Sequence, residues 1–194
     1  MNDYLQPDFY RFNEDSIKLI NFVLERIKSA RSILDLGCGS GIIGIEVSNI
    51  LLPSDLYLLE GQQEWMDYIK ENISQKLKKE VHASIILNTF GLWKSDRKFD
   101  LIVCNPPYFL PGHGEASSNK LRDNSRTFNI DNWQVLMRLI DHSLVDTGRC
   151  YVVIKDDHRI IKEIQKSTFS LNVISSKKDG LIFLELFRLD KNRN

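Results

Sequence analysis

From Asp15 onward, apolar residues fall at Ile17, Ile20, Val23, Leu24 and Ile27. That three-to-four-residue spacing is one face of a helix, and the side-chain oxygen of Asp15 or Ser16 can cap its start. Short apolar runs then alternate with helical patterns: a strand over SILDLG (residues 32–37), a helix over 40–52, a strand over 55–61 and a helix over 63–77. Two further strands follow over 83–90 and 99–107, then a polar stretch, a helix over 129–145, a strand over 148–155 and a helix over 157–167. The chain ends in two strand-like runs, 171–178 and 179–189, joined through Asp179-Gly180, a dipeptide suited to a tight hairpin turn. Strands alternating with helices predict an α/β fold, a largely parallel sheet with helices on both faces. The final hairpin adds an antiparallel edge. No internal repeat or linker divides the chain, so one domain is expected over 1–194, with a helical lead-in (1–30) and a core (31–194).

Composition narrows the class. The 194 residues are 42% hydrophobic and 27% charged, the balance of a globular domain, and 26 basic residues match 26 acidic ones. Overall charge therefore announces no nucleic-acid partner, and any such contact must come from a local patch. Neither a signal peptide nor a membrane-length apolar run is present, so a cytoplasmic protein away from membranes is expected. Cys38, Cys104 and Cys150 are far apart, and with His82, His113, His142 and His158 they show no ligand spacing. No metal is expected, and small apolar packing is the expected role of Cys38 and Cys104.

The first strand stops abruptly in three alternating glycines, Gly37, Gly39 and Gly41. Glycine supplies positive backbone angles and removes the Cβ atoms that would hold a ligand away from the main chain. At the carboxyl end of a parallel strand, where a helix begins, that is the setting of a small-molecule crevice. Gly39, Gly41 and Gly44 also satisfy the spacing of a dinucleotide fingerprint, with Glu60 ending the second strand, so a nicotinamide or flavin nucleotide is a rival. Against it, the pattern opens only after Asp35 and Gly37, not directly at the strand end.

Read from Asp35, DLGCGSG resembles the first motif of class I S-adenosylmethionine-dependent methyltransferases, and the order of elements resembles their Rossmann-like fold, a seven-stranded, mostly parallel sheet with an antiparallel C-terminal hairpin. The resemblance implies a cofactor site of Asp35, Gly37, Gly39, Gly41, Glu60, Asn88 and Asn105, binding S-adenosyl-L-methionine and releasing S-adenosyl-L-homocysteine. In that family the glycine turn approaches the methionine part of the cofactor and the acid at Glu60 accepts from both ribose hydroxyls. Asn88 stands where an Asp often contacts the adenine amine, and an amide oxygen can accept the same bond.

The second distinctive stretch is VCNPPYF, residues 103–109. Two prolines would terminate a strand by themselves. They do not account for an Asn before them and an aromatic after them, at the same edge as the glycine turn. NPPY is similar to the fourth motif of methyltransferases acting on planar exocyclic amines or amides. The resemblance implies catalytic roles for Asn105, Pro106, Pro107 and Tyr108. The Asn105 side-chain oxygen and the Pro106 carbonyl would each accept an N–H of the substrate, and Tyr108 would stack on its ring.

The substrate is read from outside the motif. QPDFYRFNEDSIKLI (6–20) and the segment after NPPYF resemble bacterial valine-tRNA adenine-N6 methyltransferases, the latter through Arg122 and Arg126. Residues 110–129 are too long for a passive connection, which marks a substrate loop or disorder, and Lys120, Arg122 and Arg126 there face only Glu115 and Asp123. Tyr108, Phe109, Lys120, Arg122 and Arg126 are the expected substrate contacts, with RNA, specifically tRNA, as partner. Lysines 76, 78 and 79 and the pair Lys177-Lys178 read as solvated surface that can flank an RNA arm. The rivals are a glutamine-N5 methyltransferase of peptide-chain release factors, an rRNA guanine-N2 enzyme, and a non-catalytic cofactor-binding subunit. The release-factor enzymes usually carry an added N-terminal helical domain, for which this length leaves no room.

Overall fold

The computed structural model describes residues 3–8, 14–107, 130–166, 171–178 and 180–188. Seven strands form one sheet: β1 (Ser32–Leu36), β2 (Asp55–Glu60), β3 (His82–Leu87), β4 (Phe99–Cys104), β5 (Leu144–Lys155), β6 (Asn172–Lys178) and β7 (Leu181–Phe187). Their spatial order is β3-β2-β1-β4-β5-β7-β6. The first five run parallel, whereas β7 is antiparallel to both β5 and β6. Gly180, beside the expected hairpin turn, has φ +75°, a backbone conformation that glycine adopts without strain.

Side chains on successive strand residues point to opposite faces, and the core divides accordingly. Ile33, Leu56, Leu58, Leu101, Val103 and Tyr151 are buried on one face, under α1 (Glu14–Arg26), α2 (Ile42–Leu51) and α3 (Met66–Lys76). Leu34, Leu36, Leu59, Ile102, Cys104 and Val152 are buried on the other, under α4 (Ile130–Ser143) and α5 (His158–Lys166). Strands covered on both sides have no polar face to show, which is why the stretch Leu101–Cys104 of β4 reads as a continuous apolar run.

Two local expectations change. The first helix begins at Glu14, so Asp15 and Ser16 lie inside its first turn, not at its cap. The segment expected to be one helix over 63–77 opens with a 3-10 turn, Gln63–Trp65, before α3. Among the described residues no helix is long and apolar enough to cross a membrane, and no cluster of three or more His, Cys, Asp or Glu side chains is placed to hold a metal ion.

Candidate functional site

Register brings the sequence-predicted residues to one edge of the sheet. Leu36 is paired with Leu59 on one side and Cys104 on the other, and Glu60 with Leu87. The residues that follow, Gly37, Asn88 and Asn105, therefore leave the sheet together beside Glu60. Strand order reverses direction between β1 and β4, and such a switch point opens a crevice.

The glycine turn is built as the sequence requires. Gly37, Gly39 and Gly41 have φ of +68°, +53° and +80°. The Gly37 and Cys38 amides donate to the Leu59 carbonyl at 2.8 and 3.0 Å, which folds the turn back over β2. Gly41 caps α2 without a side chain to offer, and Asp35 supplies the missing oxygen from the strand: its Oδ2 accepts the Gly44 N–H at 2.8 Å. Gly44 is a packing position. A Cβ there would lie 3.0 Å from Asp35 Oδ2, Leu56 Cδ1 and Leu58 Cδ2.

Two carboxyls are sunk in this edge. Asp35 is 0% exposed and Glu60 7%. Glu60 Oε2 accepts the Gly39 N–H at 2.9 Å, and Oε1 accepts those of Gly61 and Gln62 at 2.8 and 2.9 Å. Among the described residues, every hydrogen bond the two carboxyls accept comes from a backbone amide. Burial therefore dominates their titration. Asp35 is pushed up from 3.8 to about 7, first by burial, against the bond from Gly44, with the charge of Glu60 adding to it. Glu60 is raised by burial against its three amide donors. Asp35 Oδ1 has no hydrogen-bond partner among the described residues.

Asn105 is half-buried, Pro106 buried and Pro107 half-buried. The Asn105 Nδ2 group donates to Ser16 Oγ at 3.0 Å, while its Oδ1 is buried with no donor among the described residues. Asn88 is half-buried at the end of β3, with its amide on the Glu60 carbonyl (2.9 Å) and its Oδ1 accepting the Thr89 N–H (2.8 Å). Tyr108, Phe109, His113, Lys120, Arg122 and Arg126 lie outside the described residues. A cleft of about 490 Å³ opens at the opposite edge, around Arg31, Tyr57, Arg97 and Asp100. It lies at the amino ends of β1, β2 and β4, away from Glu60, Asn88 and Asn105 at the carboxyl ends.

Three participants were not read from the sequence. The Phe90 ring stands over the glycine turn, where a Cβ on Gly37 would be 3.2 Å from it, and the Trp65 ring faces Gly39. Asn72, fully buried on α3, receives the Leu5 N–H at Oδ1 (2.8 Å) and donates to the Leu5 and Ser40 carbonyls, each at 2.9 Å. That clamp ties the N-terminal segment to the glycine turn.

The sequence matches the methyltransferase small domain family over residues 18–182. The chain belongs to that family. It is 39% identical over 98 residues to a tRNA1(Val) (adenine(37)-N6)-methyltransferase of Glaesserella parasuis, a match covering 50% of this chain and 40% of the relative. To a release factor glutamine methyltransferase of Clostridium botulinum it is 35% identical over 100 residues, covering 48% and 34%. The chain thus spans well under half the length of these two relatives. The fold is shared with the T. thermophilus 16S rRNA N2 G1207 methyltransferase solved with AdoMet and guanosine, at TM-score 0.66 and 16% identity over 92% of this chain and 44% of that one. For this methyltransferase-family domain, the glycine turn, the buried carboxyls and the Asn-Pro-Pro segment occupy one edge of the sheet.

Proposed function

We propose that the chain transfers a methyl group from S-adenosyl-L-methionine to an exocyclic amine, adenine N6 in tRNA next to the anticodon. One observation supports the reading above all: among the described residues the Asn105 Oδ1 is a buried acceptor without a donor, at the edge where the glycine turn and two buried carboxyls meet. An unpaired buried acceptor costs roughly 1–3 kcal/mol and is expected where a ligand completes it.

The residues present fit the cofactor. It is cationic, and the edge offers two buried carboxyls, one with an unpartnered oxygen, that hydrogen-bond only to amides among the described residues. S-adenosyl-L-methionine supplies an electrophilic methyl on a positively charged sulfur. The chain's part is to hold and to orient. Gly37, Gly39 and Gly41 let the main chain come close, Glu60 Oε2 keeps a lone pair for a ribose hydroxyl, and Asn88 Oδ1 keeps one for an adenine amine.

The nitrogen of a planar amine is a poor nucleophile because its lone pair is delocalised. Acceptance of its two N–H bonds by Asn105 Oδ1 and the Pro106 carbonyl draws the nitrogen toward tetrahedral geometry and frees the pair. Both acceptors gain strength as positive charge develops on nitrogen, so they favour the transition state over the ground state. The surplus proton is then lost to water, and no side chain is needed as base. Pro107 stiffens the turn, Tyr108 and Phe109 offer rings to a splayed base, and Lys120, Arg122 and Arg126 hold phosphates.

The similarity to release factor glutamine methyltransferases supports a second reading, because a side-chain amide poses the same problem to its nitrogen. Transfer of tritiated methyl from the cofactor to total tRNA, release factors and ribosomal RNA, by wild type and Asn105→Ala, separates the readings. Label on tRNA adenine, lost in the variant, is expected. Label on release factor alone overturns the tRNA assignment, label on ribosomal RNA points to guanine N2, and no label on any acceptor leaves a cofactor-binding subunit.

A further inference from the structure

A carboxamide has two ends of nearly equal size, and only the oxygen can accept from an amine. The reaction proposed above needs the oxygen of Asn105 to face the incoming nitrogen. Turned by half a rotation, the amide would set N–H against N–H.

A contact from 89 residues away anchors the nitrogen end of the amide. Ser16, 4% exposed, lies in the first turn of α1, and its Oγ receives the Asn105 Nδ2–H at 3.0 Å. The other end of the amide, Oδ1, is the end left without a donor among the described residues. α1 is a firm base for this contact. Leu19, Ile20 and Val23 are buried to within 1% exposure, and the Phe22 ring stacks on Phe183 at 4.6 Å and meets Tyr151 edge-on at 5.9 Å. Helix, serine and amide are thus fixed before substrate arrives.

We propose that Ser16 is a positioning residue: by engaging the nitrogen end of the Asn105 amide, its hydroxyl holds the oxygen end toward the substrate amine. The proposal rests on the role given to Asn105 above. It also gives the N-terminal helix a part in the chemistry, which capping or packing alone would not.

The test compares wild type, Ser16→Ala and Asn105→Ala with whichever acceptor of the panel above takes the methyl. In Ser16→Ala, kcat is expected to fall about 10- to 100-fold, with the acceptor KM and the S-adenosyl-L-homocysteine Kd held within about threefold. A second readout is independent of activity. The side-chain amide resonances of Asn105, identified by their loss in Asn105→Ala, should move toward those of a free asparagine in Ser16→Ala. Ser16→Cys keeps the volume with a weak acceptor and serves if the alanine variant does not fold. A kcat within about threefold of wild type, unmoved amide resonances in a folded variant, or cofactor affinity falling in step with kcat each overturn the proposal. Should Asn105→Ala itself retain wild-type activity, the reading of Asn105 fails first, and that outcome is distinct from the others.

Discussion

Asp35→Asn exchanges a fully buried carboxyl for an amide of the same shape. Burial, reinforced by Glu60, raises the folded-state pKa from 3.8 to about 7. An acid with a raised folded pKa favours folding fully below its unfolded value, and that contribution is lost as pH rises to the folded value. Three pKa units correspond to about 4 kcal/mol, so above neutrality the ionised Asp35 opposes folding by roughly that amount. Asparagine keeps an oxygen for the Gly44 N–H and never ionises, but its NH2 takes the place of Oδ1, which has no partner among the described residues. That unmet donor costs about 1–3 kcal/mol. The variant should therefore be roughly 1–3 kcal/mol more stable than wild type at about pH 8, and close to it or weaker at about pH 5. Urea unfolding of both proteins across that range measures the difference, which should grow by about 2–3 kcal/mol from the acid to the alkaline end whatever the amide penalty is. Parallel stability curves would refute the reasoning, since they would mean Asp35 is ionised at both ends. The same substitution should weaken S-adenosyl-L-methionine, a cation, more than it weakens the less charged product.

Gly44→Ala places a Cβ 3.0 Å from Leu56, Leu58 and Asp35, and should lower the urea midpoint by an amount worth about 1–3 kcal/mol although alanine is the better helix former. A rise in midpoint would contradict that packing. Asn72→Ala removes three hydrogen bonds to Leu5 and Ser40 and should cost about 2–4 kcal/mol, with faster hydrogen exchange at the Leu5 amide as the local sign. All three thiols are buried, and burial raises Cys38, Cys104 and Cys150. A thiol reagent should react with none in the native protein and with all three in guanidinium.

Much of the fold was legible because each apolar run buries both faces of a strand or one stripe of a helix, and those periods are local. The glycine turn was legible for a related reason: only positions needing positive φ justify three alternating glycines, and Gly37, Gly39 and Gly41 all have it. What escaped were contacts between residues far apart in sequence. Ser16 reads as a cap because serine before an apolar helix pattern usually is one, yet the helix starts earlier and the hydroxyl faces Asn105. Asn72 reads as one polar residue in an amphipathic helix, and only the packed structure shows it clamping Leu5 and Ser40. Phe90 and Trp65 look like ordinary core residues until the glycine backbone is seen against their rings. Gly44 completes a ligand-binding pattern on paper but serves strand-to-helix packing.

The central claim is that the Asn105 oxygen grips the amine that receives the methyl. Single-turnover methyl transfer at saturating cofactor tests it most directly, with cofactor affinity measured separately. At saturating S-adenosyl-L-methionine, whatever its affinity, Asn105→Ala should transfer the methyl at least about 100-fold more slowly than wild type. Transfer at the wild-type rate by a variant that has lost that oxygen would contradict the account.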